Sequence, residues 1–315
     1  MKATPARPVS TKEFEALFEQ LKNWGKWGPD DARGTLNYIT SECITAASKL
    51  VRSGRTVSMA IPINKVAGPD NPRPPAHYMA VNYDIYWPLG EPQFATDYLG
   101  SEIHGDCHTH VDALCHVAYK GRLFNGKPTG SVTTHGPTLM DITAFAHGIV
   151  GRGVLIDIPR LHSVKWLELG HAVTREEVEA AEKAQGVRLQ PGDMMVFRTG
   201  HHARRLALGP WNPGPDGEGR AGLHVTALKL LHERKVSVFL PDGDGETVPS
   251  KVEGIPYPIH AIQLPAMGMV CADSLQFEEL VPLCEQEKRW EFMVVACPLR
   301  LPRGTGSLFN PIAIF

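Results

Sequence analysis

At 315 residues the chain has room for one large globular domain or two modest ones, and 43% hydrophobic with 21% charged residues is ordinary for a folded protein with a sizeable core. Thirty-two basic against thirty-four acidic side chains give a formal charge of -2, without the basic excess that a phosphate backbone demands, so nucleic acid is excluded as an expected partner. No apolar run approaches the ~20 residues of a bilayer span, and residues 1–30 hold no signal-peptide core. The expectation is a cytoplasmic protein with no membrane partner.

Six cysteines without a C-x-x-C pair are too sparse for a disulfide scaffold, so reduced thiols are expected. Twenty-six prolines and thirty glycines call for many turns and argue against a helix bundle.

In chain order, the first element is a helix from Ser10, where Ser10 and Glu13 match a capping box and Phe14, Leu17, Phe18 and Leu21 form an apolar stripe. Residues 23–37 (NWGKWGPDDARGTLN) read as an irregular segment pinned by tryptophans. Residues 56–93 are proline-rich, with a short strand expected over 56–61 and an aromatic stretch from His77 to Trp87, a candidate lid or subunit contact. Buried strands are expected over 153–158, 193–198, 236–240 and 292–297. Two helices alternate with them. One is capped by Thr174 with Glu177 and stops near Gly186; the other runs from about His224 to Glu233 with Leu228 and Leu231 inward. This alternation predicts an α/β fold. With no repeat or linker, a single domain over 1–315 is the simpler account, comprising an N-terminal helix and Pro-rich excursion over 1–95 and a core over 96–315.

Residues 104–116 read HGDCHTHVDALCH and place His104, Asp106, His108, His110, Asp112 and His116 all at even positions. Even mixing would put about 0.6 histidines in such a window, yet four stand here. In an extended strand a period of two sends these groups to one face and Cys107, Thr109 and Val111 to the other. Residues two apart stand roughly 6.6 Å apart along a strand, close enough for His110 and Asp112 to grip one divalent ion. On a straight strand His104 would lie about 20 Å from His110, which leaves His104, Asp106 and His108 divided between outer or substrate-binding roles and ordinary packing. His116 joins only if the chain turns after Asp112. The run Asp242 to Glu246 (DGDGE) lacks the spaced ligands of an EF-hand and reads as a strand-end turn. Residues 304–307 (GTGS) read as a turn or as an oxyanion-binding backbone.

This segment resembles the cyclase family of metal-dependent hydrolases, which includes bacterial kynurenine formamidases, isatin hydrolases and a trans-dienelactone hydrolase. Of its mark H-x-G-T-H-x-D-x-P-x-H, Thr109, His110, Asp112 and His116 match T, H, D and the final H, while Asp106, His108 and Leu114 replace the first H, the G and the P. The stretches WGPDDARGTLN (27–37), GRGVLIDI (151–158), GDMMVFRTG (192–200) and CPLRLPRGTGSLFNPIA (297–313) are similar to its longer members. The resemblance implies a swivelling β/β/α fold, a mixed sheet with flanking helices, and assembly into a homodimer or homotetramer. It also implies further ligands at His260 and at Asp273, where the formamidases have Glu. Some relatives carry a second histidine four residues after the last motif histidine; here Tyr119 and Lys120 stand there, so the general base is open, as are one ion or two and zinc or manganese.

The expected activity is hydrolysis of an amide, formamide, cyclic imide, ester or lactone bond in a small cyclic or aromatic substrate by metal-activated water. His110, Asp112 and His260 are the ligands, with His116 a further ligand or the base. Trp24, Trp27 and the stretch from His77 to Trp87 are candidate pocket walls, with core packing an equal alternative. A lyase or cyclase using the ion as a Lewis acid, and a non-catalytic metal-binding scaffold, are the alternatives.

Overall fold

The computed structural model describes residues 6–84 and 91–315, and its centre is a nine-stranded mixed sheet. The strands are β1 (Thr56–Ser58), β2 (His110–Asp112), β3 (Ile149–Asp157), β4 (Met194–Arg198), β5 (Val238–Pro241), β6 (Val270–Asp273), β7 (Glu291–Ala296), β8 (Gly306–Leu308) and β9 (Ile312–Ile314), in the order β1-β9-β7-β3-β4-β5-β6-β2-β8. From β3 to β6 neighbours run parallel; every other pairing is antiparallel. The parallel strands come from continuous apolar runs and are covered on both faces, with Leu155, Ile156, Val196, Phe197, Phe239 and Val270 buried. Toward the edge, β7 alternates instead: Phe292, Val294 and Ala296 are buried and their neighbours half-exposed.

Among the described residues eight helices surround the sheet: α1 (Thr11–Gln20), α2 (Ser41–Ser48), α3 (Ile158–His162), α4 (Arg175–Gln185), α5 (His201–Leu208), α6 (Leu228–Glu233), α7 (Pro258–Ile262) and α8 (Leu280–Glu287). Both capping boxes form, at Ser10–Glu13 and Thr174–Glu177, and α4 ends on Gly186 in the left-handed conformation. Helix α1 docks through Phe14, Leu17 and Phe18; truncating the wholly buried Phe14 to Ala would cost about 3–5 kcal/mol. The helix expected from His224 begins as a 3-10 turn over Val225–Ala227, and Leu228 and Leu231 face inward.

The expected strands over 193–198, 236–240 and 292–297 are observed with ends shifted by one or two residues, and two boundaries differ by more. Strand β3 starts at Ile149, and β1 stops at Ser58 because the Ile61 N–H leaves the ladder to donate to Thr109 Oγ1 at 2.8 Å. Strand β1 lies in the central sheet and α1 packs in the main core, so these two elements of the N-terminal stretch share the core of the later residues. The Pro-rich excursion carries a separate two-stranded ribbon, Ala76–Val81 with Thr96–Gly100. Tyr86 and Trp87 of the aromatic stretch lie outside the described residues. All six cysteines are unpaired, and among the described residues no helix is long and apolar enough to cross a membrane.

Candidate metal centre

Strand pairing sets the site. In the antiparallel register of β6 with β2, Asp273 lies opposite His110, and directly paired side chains share a face. Two residues along β2 the same face carries Asp112, and two back along β6 it carries Cys271. His110 Nε2 stands 3.7 Å from Asp112 Oδ1 and 3.8 Å from Asp273 Oδ2. Its Nδ1 donates to the His108 carbonyl at 2.7 Å, which fixes the tautomer and leaves Nε2 a lone pair for a cation.

After Asp112 the chain turns, with the His116 N–H donating to the Ala113 carbonyl, and this brings His116 Nε2 to 4.0 Å from Asp112 Oδ2. His260 arrives on α7, its Nε2 3.2 Å from Asp273 Oδ2 and 3.9 Å from Asp112 Oδ2. Behind it the wholly buried Glu246 accepts from three donors: the Ile259 amide at 3.1 Å, the His260 amide at 2.8 Å and His260 Nδ1 at 2.9 Å. One carboxylate thus caps the helix and aims the ring. The five expected residues, His110, Asp112, His116, His260 and Asp273, meet in one place.

His104 corrects the straight-strand expectation. Only His110–Asp112 is strand; the residues before it turn, so His104 folds back. Its ring stacks on His116 at 3.6 Å between centroids and 4° between planes, and lies 5.2 Å from the His110 ring. Its Nδ1 is 2.8 Å from Asp112 Oδ1, a close approach without hydrogen-bond alignment. Gly306, opposite Asp112 on β8, makes room: a Cβ there would meet His104 Cε1 and the Val111 carbonyl, each at 2.7 Å.

The charge balance asks for a cation. Burial disfavours the Asp112 charge, but the imidazoles of His116, His104 and His110 outweigh it and hold the carboxyl below its usual range. Both Asp112 oxygens and His104 Nδ1 are buried without a hydrogen-bond partner among the described residues, a costly state that a bound ion relieves. Burial pushes His116 down to about 4, against the pull of Asp112, so its ring is neutral at pH 7. At His260 burial also opposes protonation, but Asp273 and Glu246 prevail and hold it well above the imidazole range. Burial keeps Cys271 a thiol, which donates to Asp273 Oδ1 at 2.9 Å. Two donor groups with atoms within 4.8 Å of one another result: His104, His110 and Asp112, and His260, Cys271 and Asp273. Nitrogen and carboxylate donors in this arrangement fit a divalent ion of the zinc or manganese kind.

A cavity of about 370 Å³ opens beside them, walled by Val117 and Tyr257 and by Asp106, Arg220 and Asp244. The buried Arg220 guanidinium lies 2.6 Å from both Asp106 Oδ1 and Asp244 Oδ2. Other expected residues sit elsewhere. His108 is buried against Cys107, outside the cavity wall. Trp24 packs against Phe18, its N–H tied to the Pro265 carbonyl, and Trp27 packs on Tyr38, so both are packing residues. Tyr119 packs edge-on against Phe14 and tilted against Phe18, and Lys120 pairs with Glu15 at the surface; neither faces the cavity. In the DGDGE turn after β5, Asp242 accepts from the Thr199, Gly200 and His201 amides. Residues 306–307 continue as β8.

The family model described as "Putative cyclase" matches residues 57–244. A crystal structure described as a novel cyclase is 34% identical with a TM-score of 0.84, covering 94% of this chain and 100% of that one. The chain belongs to the cyclase family. Isatin hydrolase A from Ralstonia solanacearum is similar in fold at 21% identity and a TM-score of 0.57, over 82% of this chain and 91% of its own. So is a structure described as a "predicted metal-dependent hydrolase" from Bacillus stearothermophilus, at 15% identity and a TM-score of 0.50, over 83% and 98%. No curated protein matches the sequence. Sequence reasoning singled out His104 but set it too far from His110, and it missed three features of this cyclase-family site: Glu246 behind His260, Cys271 beside Asp273, and Arg220 in the wall. A signal for Cys271 was its place two residues before Asp273.

Proposed function

We propose that this cyclase-family chain is a metal-dependent hydrolase that opens an amide or lactone bond of a small cyclic or aromatic substrate. The observation that carries the reading is Asp112, a buried carboxylate with both oxygens undonated and imidazoles around it. His110, Asp112, His260 and Asp273 would hold the ion, zinc or manganese, with His104 and His116 completing the ring of donors. When bound, such an ion lowers the pKa of water toward about 7 and polarises a carbonyl.

The chain's own residues supply the rest. Glu246 holds the His260 ring in one tautomer, and the His108 carbonyl does the same for His110. His116, its side chain 28% exposed and lining the cavity, is positioned to take a proton from water or to join the ligands. The 370 Å³ space suits a one-ring molecule, with Val117 and Tyr257 against the ring and the Asp106–Arg220–Asp244 triad toward its polar edge. Assembly into a dimer or tetramer is part of the proposal: the ribbon leaves Tyr78, Met79, Tyr98 and Leu99 about half exposed, and a two-stranded ribbon is marginal alone.

The test is elemental analysis of the purified chain, then a screen of formamides, lactones, cyclic imides and isatin with the ion found, in oxygen-18 water. Hydrolysis places the label in the carboxylate product. Turnover without label incorporation would replace the reading with a lyase, and full activity after chelation would end the metal role.

A further inference from the structure

A third group of metal-type donors stands apart from the cavity. His162, His171 and Glu177 bring one donor atom each within 4.8 Å of one another. His162 ends α3, His171 immediately precedes the short strand Ala172–Val173, and Glu177 lies in the first turn of α4. Two imidazoles converge on a single oxygen: Glu177 Oε1 accepts from His162 Nε2 at 2.8 Å and from His171 Nε2 at 2.9 Å. The other oxygen, Oε2, accepts the Thr174 amide at 3.0 Å in the capping box, so the helix start holds the carboxylate still. The rings stand 5.7 Å apart at 63°, unstacked, with both Nε2 atoms turned to the same point.

We propose that His162, His171 and Glu177 form a second binding site for a divalent transition ion of the zinc class, tying the end of α3 to the start of α4. Tetrahedral zinc with bonds of 2.0–2.1 Å separates its donors by about 3.3–3.5 Å, so each contact opens by only about 0.5 Å. Binding places one proton on Nδ1 of each ring and leaves the Nε2 lone pairs to the ion. Two nitrogens and one oxygen select zinc-like ions over magnesium or calcium, whose preferred donors are oxygens. The side chains are 14%, 21% and 12% exposed, which gives an ion and a fourth, water ligand access from solvent. Burial works against the Glu177 charge, but the His171 ring and Thr174 amide more than offset it, so the carboxylate stays anionic at neutral pH.

The experiment is equilibrium dialysis of the full chain against Zn2+ with elemental analysis, for the wild type, His171→Gln and His162→Gln. The wild type should bind one equivalent more than either variant, or hold that equivalent with an affinity higher by more than the roughly 10–100-fold that losing an outer partner costs. Melting of all three in chelator separates loss of the ion from loss of the fold: equal midpoints in chelator, with a zinc-induced rise larger in the wild type than in either variant, support the site. His110→Ala should keep this equivalent, which makes the result independent of the candidate centre. Equal stoichiometry and affinity in the wild type and both variants would overturn the proposal and leave a hydrogen-bonded clamp.

Discussion

Glu246→Gln is the most discriminating perturbation of the candidate centre. Glu246 is wholly buried and accepts three hydrogen bonds, two of them from His260. Glutamine keeps the shape, and its one oxygen can keep the His260 pair, but its NH2 then faces the Ile259 N–H, donor against donor. An unsatisfied buried donor costs about 1–3 kcal/mol, and turning charge-assisted bonds into neutral ones removes roughly another 1 kcal/mol, so a loss of about 2–4 kcal/mol in urea unfolding is expected. The same change loosens the aim of His260 Nε2, for which losing an outer partner predicts a 10–100-fold weaker ion, about 1.4–2.7 kcal/mol. Competition with a chromophoric chelator measures the second figure and denaturant unfolding without metal the first. Affinity within twofold of wild type, with His260 unmoved, would refute the claim that Glu246 positions the ligand.

Three further outcomes follow from the geometry. Gly306→Ala places a Cβ 2.7 Å from His104 Cε1 and the Val111 carbonyl, and should cost about 1–3 kcal/mol while weakening the ion; unchanged melting would show that His104 has room to move. His202, pushed by burial and by Arg205 from 6.5 down to about 4, stays neutral in the fold and takes a proton when unfolded. Its contribution is therefore complete above pH 6.5 and drains by about 1.4 kcal/mol per pH unit as the pH falls toward 4, so His202→Phe should lose about 2 kcal/mol less than wild type between pH 7 and pH 5, and equal losses would refute the assignment. The double variant Tyr98→Lys and Leu99→Lys should reduce the mass seen by light scattering to that of one chain, and an unchanged oligomer would remove the ribbon from the interface.

What could be read in the sequence was local. Ser10 with Glu13 and Thr174 with Glu177 form their caps because a capping box needs only four residues. His110 and Asp112 share a face because the period of two holds wherever the backbone is extended. The extrapolation failed at His104, since the strand is three residues long and its length is set by pairing with β6 and β8 rather than by its own letters. Trp24 went the other way: an aromatic among glycines looks available for a ligand, but its N–H found a carbonyl 241 residues away. Glu246 left no periodic trace, because its partners are the amides of a helix that begins twelve residues later.

The centre is assembled from segments remote along the chain: Thr109 Oγ1 reaches the Ser274 carbonyl across 165 residues, beside the pairing of β2 with β6. During synthesis, the histidine-rich segment emerges long before the strand that brings Asp273 to it. Under the proposed metal role, a nascent or truncated chain ending short of Asp273 would offer incoming ions a few loosely held imidazoles, and selective loading would wait until translation is nearly finished.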